Sequence, residues 1–358
     1  MSAVLITGAD GHLGRAIARR LLARTADALI LWVRARTPQE LLAKETRLAD
    51  LLADPRCRIA CGELSEAEPF AAVDPRAVAA IVHTAAITAF TVSDEAARRV
   101  NVEGARKLLA FARRCPSLRA CLLTSTLHAA GLRDGDIAEN AFARPPSFAN
   151  PYEASKWAME RTAIEDFPDV PWCVARIGTI AAADASGEVA QHNAIHNTLR
   201  LFLNGLLPVL AGRPEARVYM TTTAFCAAAC VALLGRAEAH AFFHVSDAWE
   251  EALALGETID IVRTSFAADG AFRARHVPAP LFCDLETFRT LVRGADAFSP
   301  VMGQALSSIA PFAPQLFCDK RVANARLRAA LPGLDPPRMR DILPRICAHI
   351  AAHRGATA

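Results

Sequence analysis

Six short and almost uninterrupted apolar runs punctuate the first half of the chain, and four of them are followed by a segment with helical periodicity. They are AVLITG (3–8), ALILWVRA (28–35), RCRIACGEL (56–64), AVAAIVHTAA (77–86), RACLLTST (119–126) and PWCVARIGTI (171–180). Between them, HLGRAIARRLLARTA, PQELLAKETRLADLLAD, DEAARRVNVEGARKLLAFARRC and PYEASKWAMERTAIEDF read as amphipathic helices. A strand that is apolar on both faces must be covered on both faces. Repeated β-α-β units of this kind specify a doubly wound, parallel Rossmann-type α/β fold.

The second half is less regular. IHNTLRLFLNGLLPVL (195–210) reads as a helix, TTAFCAAACVALLG (222–235) as a helix ending at Gly235, and HAFFHVS (240–246) as a strand. Beyond 251, helices are separated by prolines, and LPRICAHIAAHRG ends the last helix near Gly355. The expected division is a nucleotide-binding domain of 1–180 plus about 216–250. A smaller, mostly helical substrate-binding subdomain takes about 181–215 plus 251–358.

Composition narrows the function classes. A net charge of +3 over 358 residues gives no electrostatic reason to expect nucleic acid or an anionic membrane as partner. The longest apolar runs, such as LFLNGLLPVLAG, fall short of the ~20 residues needed to span a bilayer. No basic segment followed by an apolar one marks an export signal, so a cytoplasmic protein is expected. The ten cysteines form no CxxC pair and several sit in apolar runs, so they read as reduced, buried thiols. Cys226 and Cys230 lack partner ligands, and no metal site is expected. Nothing in the sequence sets an oligomeric state.

The stretch LITGADGHLGR places Gly8, Gly11 and Gly14 between the first strand and the first helix. That is where a dinucleotide-binding loop belongs. One glycine permits positive φ, a second lets backbone approach a pyrophosphate, and the third allows close helix–strand packing. The helix N-terminus offers free N–H groups to the phosphates. Thr7, Gly8, Asp10, Gly11, His12, Leu13 and Gly14 are therefore expected around the cofactor. Twenty positions after Gly14 stands Arg34, where an acidic residue would favour NAD. A guanidinium pairs with a 2′-phosphate, so NADP(H) is expected, with Arg36 and Arg47 as further contacts. Glu63 and Leu64 end the third strand and would flank the adenine. Ala85, in HTAA, ends the fourth, where small residues let the cofactor cross.

Tyr152 and Lys156 lie four apart in NPYEASKW, on one face of a helix. An ammonium beside a phenol lowers its pKa from ~10 and prepares a general acid–base. Only two tyrosines occur in the chain, and this one follows the fifth strand. Strand-end residues face the cleft of such a sheet. Thr126 is the expected hydroxyl for a substrate carbonyl, with Ser125 second and His128 structural. Asn101 is expected to fix a helix kink or a water beside Lys156.

With these residues the sequence resembles the extended short-chain dehydrogenase/reductase superfamily. Within it the likeness is to thioester reductase domains, and more distantly to fatty acyl-CoA reductases. It is carried by TGxxGxxG (7–14), LWVRA (31–35), HTAAITAF (83–90), NVEGARKLL (101–109), TSTLHAAG (124–131), FANPYEASKWAMER (148–161) and ARIGTIAAADASGE (175–188). The resemblance implies a catalytic triad of Thr126, Tyr152 and Lys156, and NADPH held by Gly8, Gly11, Gly14 and Arg34. It implies hydride transfer to an acyl thioester on an acyl carrier protein or coenzyme A, giving an aldehyde or alcohol. Ile177 departs from the usual proline, Ala224 from a common aspartate, and Glu63 from the commoner aspartate. Adenylation and carrier domains are absent from the sequence, so a separate carrier or free substrate is expected. A ketone, an enone or a nucleotide sugar is the alternative substrate on the same triad, and a non-enzymatic NADP sensor the remaining reading.

Overall fold

A computed structural model describes residues 3–236, 238–298 and 300–354. Seven parallel strands form the central sheet: β1 (Ala3–Thr7), β2 (Ala28–Arg34), β3 (Cys57–Gly62), β4 (Val78–His83), β5 (Ala120–Thr126), β6 (Trp172–Ile177) and β7 (Ala241–Val245). Their spatial order is β7-β6-β5-β4-β1-β2-β3. The chain walks outward from β1 to β3, then crosses back to β4 on the other side of β1. That reversal opens a crevice at the carboxyl ends of β1 and β4.

Alternate strand residues feed two different cores, which is why the strands read as continuous apolar runs. Val4, Ile6, Leu29, Leu31 and Leu122 pack with α1 (His12–Arg24). Leu5, Ile30, Trp32 and Leu123 pack on the other face against α2 (Glu103–Arg113) and α3 (Pro151–Asp166). The helix Thr223–Arg236 joins the first core and β7 extends the sheet. A third apolar core, apart from the sheet, gathers the helices Ala194–Leu203, Leu255–Phe266, Leu285–Phe298 and Met339–Ala352 around Phe202, Phe266, Phe272 and Phe288.

Several elements differ from their sequence reading. The helix expected over 38–54 breaks at Leu48, leaving Pro38–Arg47 and Ala49–Leu52. The helix over 94–115 contains a π-helical stretch, Arg98–Val102, just before α2. The helix expected over 195–210 stops at Leu203, where Gly205 turns with φ +72°, and Val209–Ala211 becomes a strand paired with Leu281–Cys283. The last helix begins at Met339, upstream of Pro344, and Gly355 lies outside the described residues. Among the described residues no helix is long and apolar enough to cross a membrane.

Candidate active site

The crevice is a cleft of about 800 Å³. On its floor Gly8 adopts φ +67°, and a Cβ there would sit 2.8 Å from the Ala85 amide nitrogen. At Gly14 a Cβ would lie 2.3 Å from the Gly8 carbonyl oxygen. Both positions exclude any side chain larger than hydrogen. Gly11 caps α1 without a side-chain hydrogen bond, so the first-turn amides of His12, Leu13 and Gly14 remain for an anion at the cleft wall. Phosphates fit this cradle.

Cations collect at the β2 end. Arg34 lines the cleft, exposed, and its guanidinium has no partner among the described residues. Lys44 pairs with Asp10 at 2.5 Å, and Arg47 reaches the same carboxylate at 3.7 Å. Arg36 is held at 3.0 Å by the buried Glu63 and does not line the cleft.

At the β5 end stand Thr126, Tyr152 and Lys156, all on the cleft wall. Asn150 and the proline at the first position start α3, the Asn150 side chain capping the Glu153 amide. Helical spacing then aligns Tyr152, Lys156 and Glu160. The Lys156 ammonium, buried, donates to the Thr124 carbonyl at 2.9 Å. Burial pulls its pKa down to about 8, against the opposing charge of Glu160. The Thr126 hydroxyl accepts from the His128 amide at 3.2 Å, which leaves its proton to donate. Tyr152 departs from expectation. Burial pushes its phenol well above the usual value, the Glu153 charge adds to that, and a hydrogen bond with Thr126 only partly opposes it. The Lys156 ammonium is directed to the Thr124 carbonyl and is not among the groups that shift the phenol, so the expected lowering is not seen.

Residues 6–230, more than half of the chain, match the family model described as Male sterility protein. The chain belongs to that family. It is an extended short-chain dehydrogenase/reductase of NAD(P)-binding fold, and thus an oxidoreductase. A polyketide synthase-nonribosomal peptide synthetase, ffsA of Aspergillus flavipes, is 30% identical over 197 residues, 51% of this chain. The chain spans only 5% of that relative's length. The terminal R domain from the myxalamid PKS-NRPS pathway superposes with a TM-score of 0.78 at 19% identity, covering 99% of this chain and 91% of that one. An archaeal thiolation-reductase di-domain gives 0.72 at 17% identity, covering 98% and 75%. The UDP-glucuronic acid 4-epimerase of Bacillus cereus, solved with NAD, gives 0.68 at 15% identity, covering 97% and 98%. These likenesses share the fold.

In this short-chain dehydrogenase/reductase, Asp10, Glu63, Leu64 and Ala85 also reach the cleft wall, as do Ser125 and His128. Ser125 is turned away, donating to Glu160 at 2.6 Å beside the buried Arg176. The His128 ring is half-buried and held neutral, its pKa pulled down to about 3 by burial and by Lys320. His12 bonds the Thr223 hydroxyl at 2.5 Å. Thr7 and Asn101 do not line the cleft. Thr7 lies beneath it, bonding the His83 ring at 2.7 Å and the Ala85 amide at 3.3 Å. Asn101 sits one layer behind, at the π-helical stretch. It exchanges two hydrogen bonds with the Ile87 backbone and donates to Ser155 at 2.9 Å, fixing the loop after β4 against α3. The sequence reading passed over Lys44 and Phe90, both on the wall. Lys44 stands three before Arg47 on one helix face, a spacing visible in the sequence; nothing local marked Phe90.

Proposed function

We propose that this protein is an NADPH-dependent reductase of acyl thioesters borne on an acyl carrier protein or coenzyme A. The observation that carries this reading is the meeting of a Thr hydroxyl, a neutral half-buried phenol and a buried ammonium at one end of a cleft with a glycine cradle and the unpaired Arg34 at its other end. Arg34 would pair with a 2′-phosphate, with Lys44 and Arg47 close by. NADPH supplies hydride when bound. Thr126 and Tyr152 hold the thioester carbonyl oxygen and stabilise the charge that develops there. A phenol kept protonated by burial is an acid ready to give its proton to that oxygen. The Lys156 ammonium, fixed by the Thr124 carbonyl, keeps a positive charge at this end of the cleft, where the carbonyl oxygen gains negative charge. The resulting thiohemiacetal loses its C–S bond to give an aldehyde and a free thiol. The helical core outside the sheet, with segments about 181–215 and 251–358, forms the acyl side of the site in this reading.

The test is to supply NADPH with an acyl-CoA and follow nicotinamide absorbance together with thiol. Both signals are expected. NADPH loss without thiol would assign a ketone instead.

A further inference from the structure

Behind Tyr152 lies a buried polar cluster that the triad does not use. Glu153 is fully buried, and Gln315 and Lys320 are nearly so. The Glu153 carboxylate accepts from Gln315 Nε2 at 2.7 Å, from Asn150 Nδ2 at 3.0 Å and from the Ala149 amide at 3.1 Å. Lys320 in turn donates to Gln315 Oε1. Asn150 also reaches the Pro311 carbonyl at 3.3 Å. The first turn of α3 is thereby bound at several points to segment 311–320, which lies more than 150 residues away in sequence.

That segment carries Phe312. Its ring stacks on Phe90 at 5.9 Å between centroids and meets the His128 ring edge-on at 5.0 Å. Phe90 lies 6.0 Å from the Tyr152 ring. Phe90, His128 and Tyr152 all face the cleft. Burying a carboxylate and an ammonium is a poor way to gain stability alone. A fully satisfied polar network, by contrast, selects one arrangement of the elements it joins.

We propose that Glu153, Gln315 and Lys320 act as a latch that positions Phe312, and through it Phe90, as the apolar wall receiving the acyl part of the substrate beside Tyr152. This rests on the acyl-thioester reading above. The three are positioning residues; none of them touches the reacting carbonyl.

The experiment uses the full chain with Gln315→Leu, Glu153→Gln, Phe312→Ala and the Gln315→Leu/Phe312→Ala pair. Amide hydrogen exchange over 311–322 reads the latch directly, with NADPH affinity and the kinetics of octanoyl-CoA measured beside it. Gln315→Leu should speed exchange in that segment about tenfold or more and raise KM for octanoyl-CoA about tenfold, with kcat and NADPH affinity nearly unchanged. Glu153→Gln, which keeps the shape, should show a smaller rise in KM. The double variant should be no worse than Phe312→Ala, because both changes remove one contact. Unchanged exchange in Gln315→Leu overturns the latch. Faster exchange with unchanged KM, or effects that multiply in the double variant, overturns its link to the wall. Where Gln315→Leu does not fold, Glu153→Gln carries the same comparison. A wild type that binds NADPH yet releases no thiol overturns the thioester reading, and the wall's ligand with it, while exchange still decides whether the latch exists.

Discussion

Tyr152 and Lys156 are shifted by the same cause in opposite senses, since burial disfavours charge on either. The phenol keeps its proton while the ammonium, at about 8, holds its own less firmly. The free enzyme should therefore lose activity as Lys156 deprotonates, and kcat/KM for NADPH, which reports the free enzyme, should fall above pH ~8. A flat profile to pH 9.5 would contradict this. The sign for stability is the reverse. Between about 8 and the usual lysine value the unfolded chain binds the extra proton, so this group's contribution to stability grows as pH rises through that window. At the other end of the cleft, Arg34 has no carboxylate to satisfy. Arg34→Asp should weaken NADPH by roughly 10–100-fold, the worth of one or two charged hydrogen bonds, and leave NADH nearly unaffected. Titrations with both nucleotides check this, and an unchanged ratio would overturn the NADP(H) preference.

At the scale of elements, the glycine turn between β1 and α1 was legible because its constraint is local. A strand, a turn needing positive φ and a helix N-terminus all fall within 12 residues, Ala3 to Gly14. Gly14→Ala should place a methyl group 2.3 Å from the Gly8 carbonyl. The forced shift should cost roughly 1–3 kcal/mol by denaturant unfolding and weaken nucleotide binding as well; a variant matching wild type in both would contradict the cradle. The strands were equally legible, since apolar residues on both faces admit one environment. Other features were not. The break at Leu48 and the π-helical stretch at Arg98–Val102 interrupt sequences with good helical periodicity. Asn101 explains the second: its amide is drawn to the Ile87 backbone and Ser155, partners fixed only by the fold. The Gly205 turn was hidden because the apolar run continues through it into a short strand.

Across the whole molecule, legibility fades with the distance between partners. Tyr152 and Lys156 show their relation in four residues, and Thr126 shows its own through its place at the end of β5. Glu153 gives no such hint, because Gln315 and Lys320 return to it from the far end of the chain. The same holds for Phe312 over Phe90. The sheet thus supplies the cleft that Thr126, Tyr152 and Lys156 line, while the helical part reaches its edge through Phe312. In the function proposed above, this cleft spends NADPH on a thioester carbonyl through Tyr152. The most direct measurement is the ratio of thiol released to NADPH oxidised with an acyl-CoA substrate, in wild type and in Tyr152→Phe. Wild type should consume at least one NADPH for each thiol released, and Tyr152→Phe should give neither signal while still binding NADPH. NADPH oxidation without thiol, or full activity in Tyr152→Phe, would contradict it.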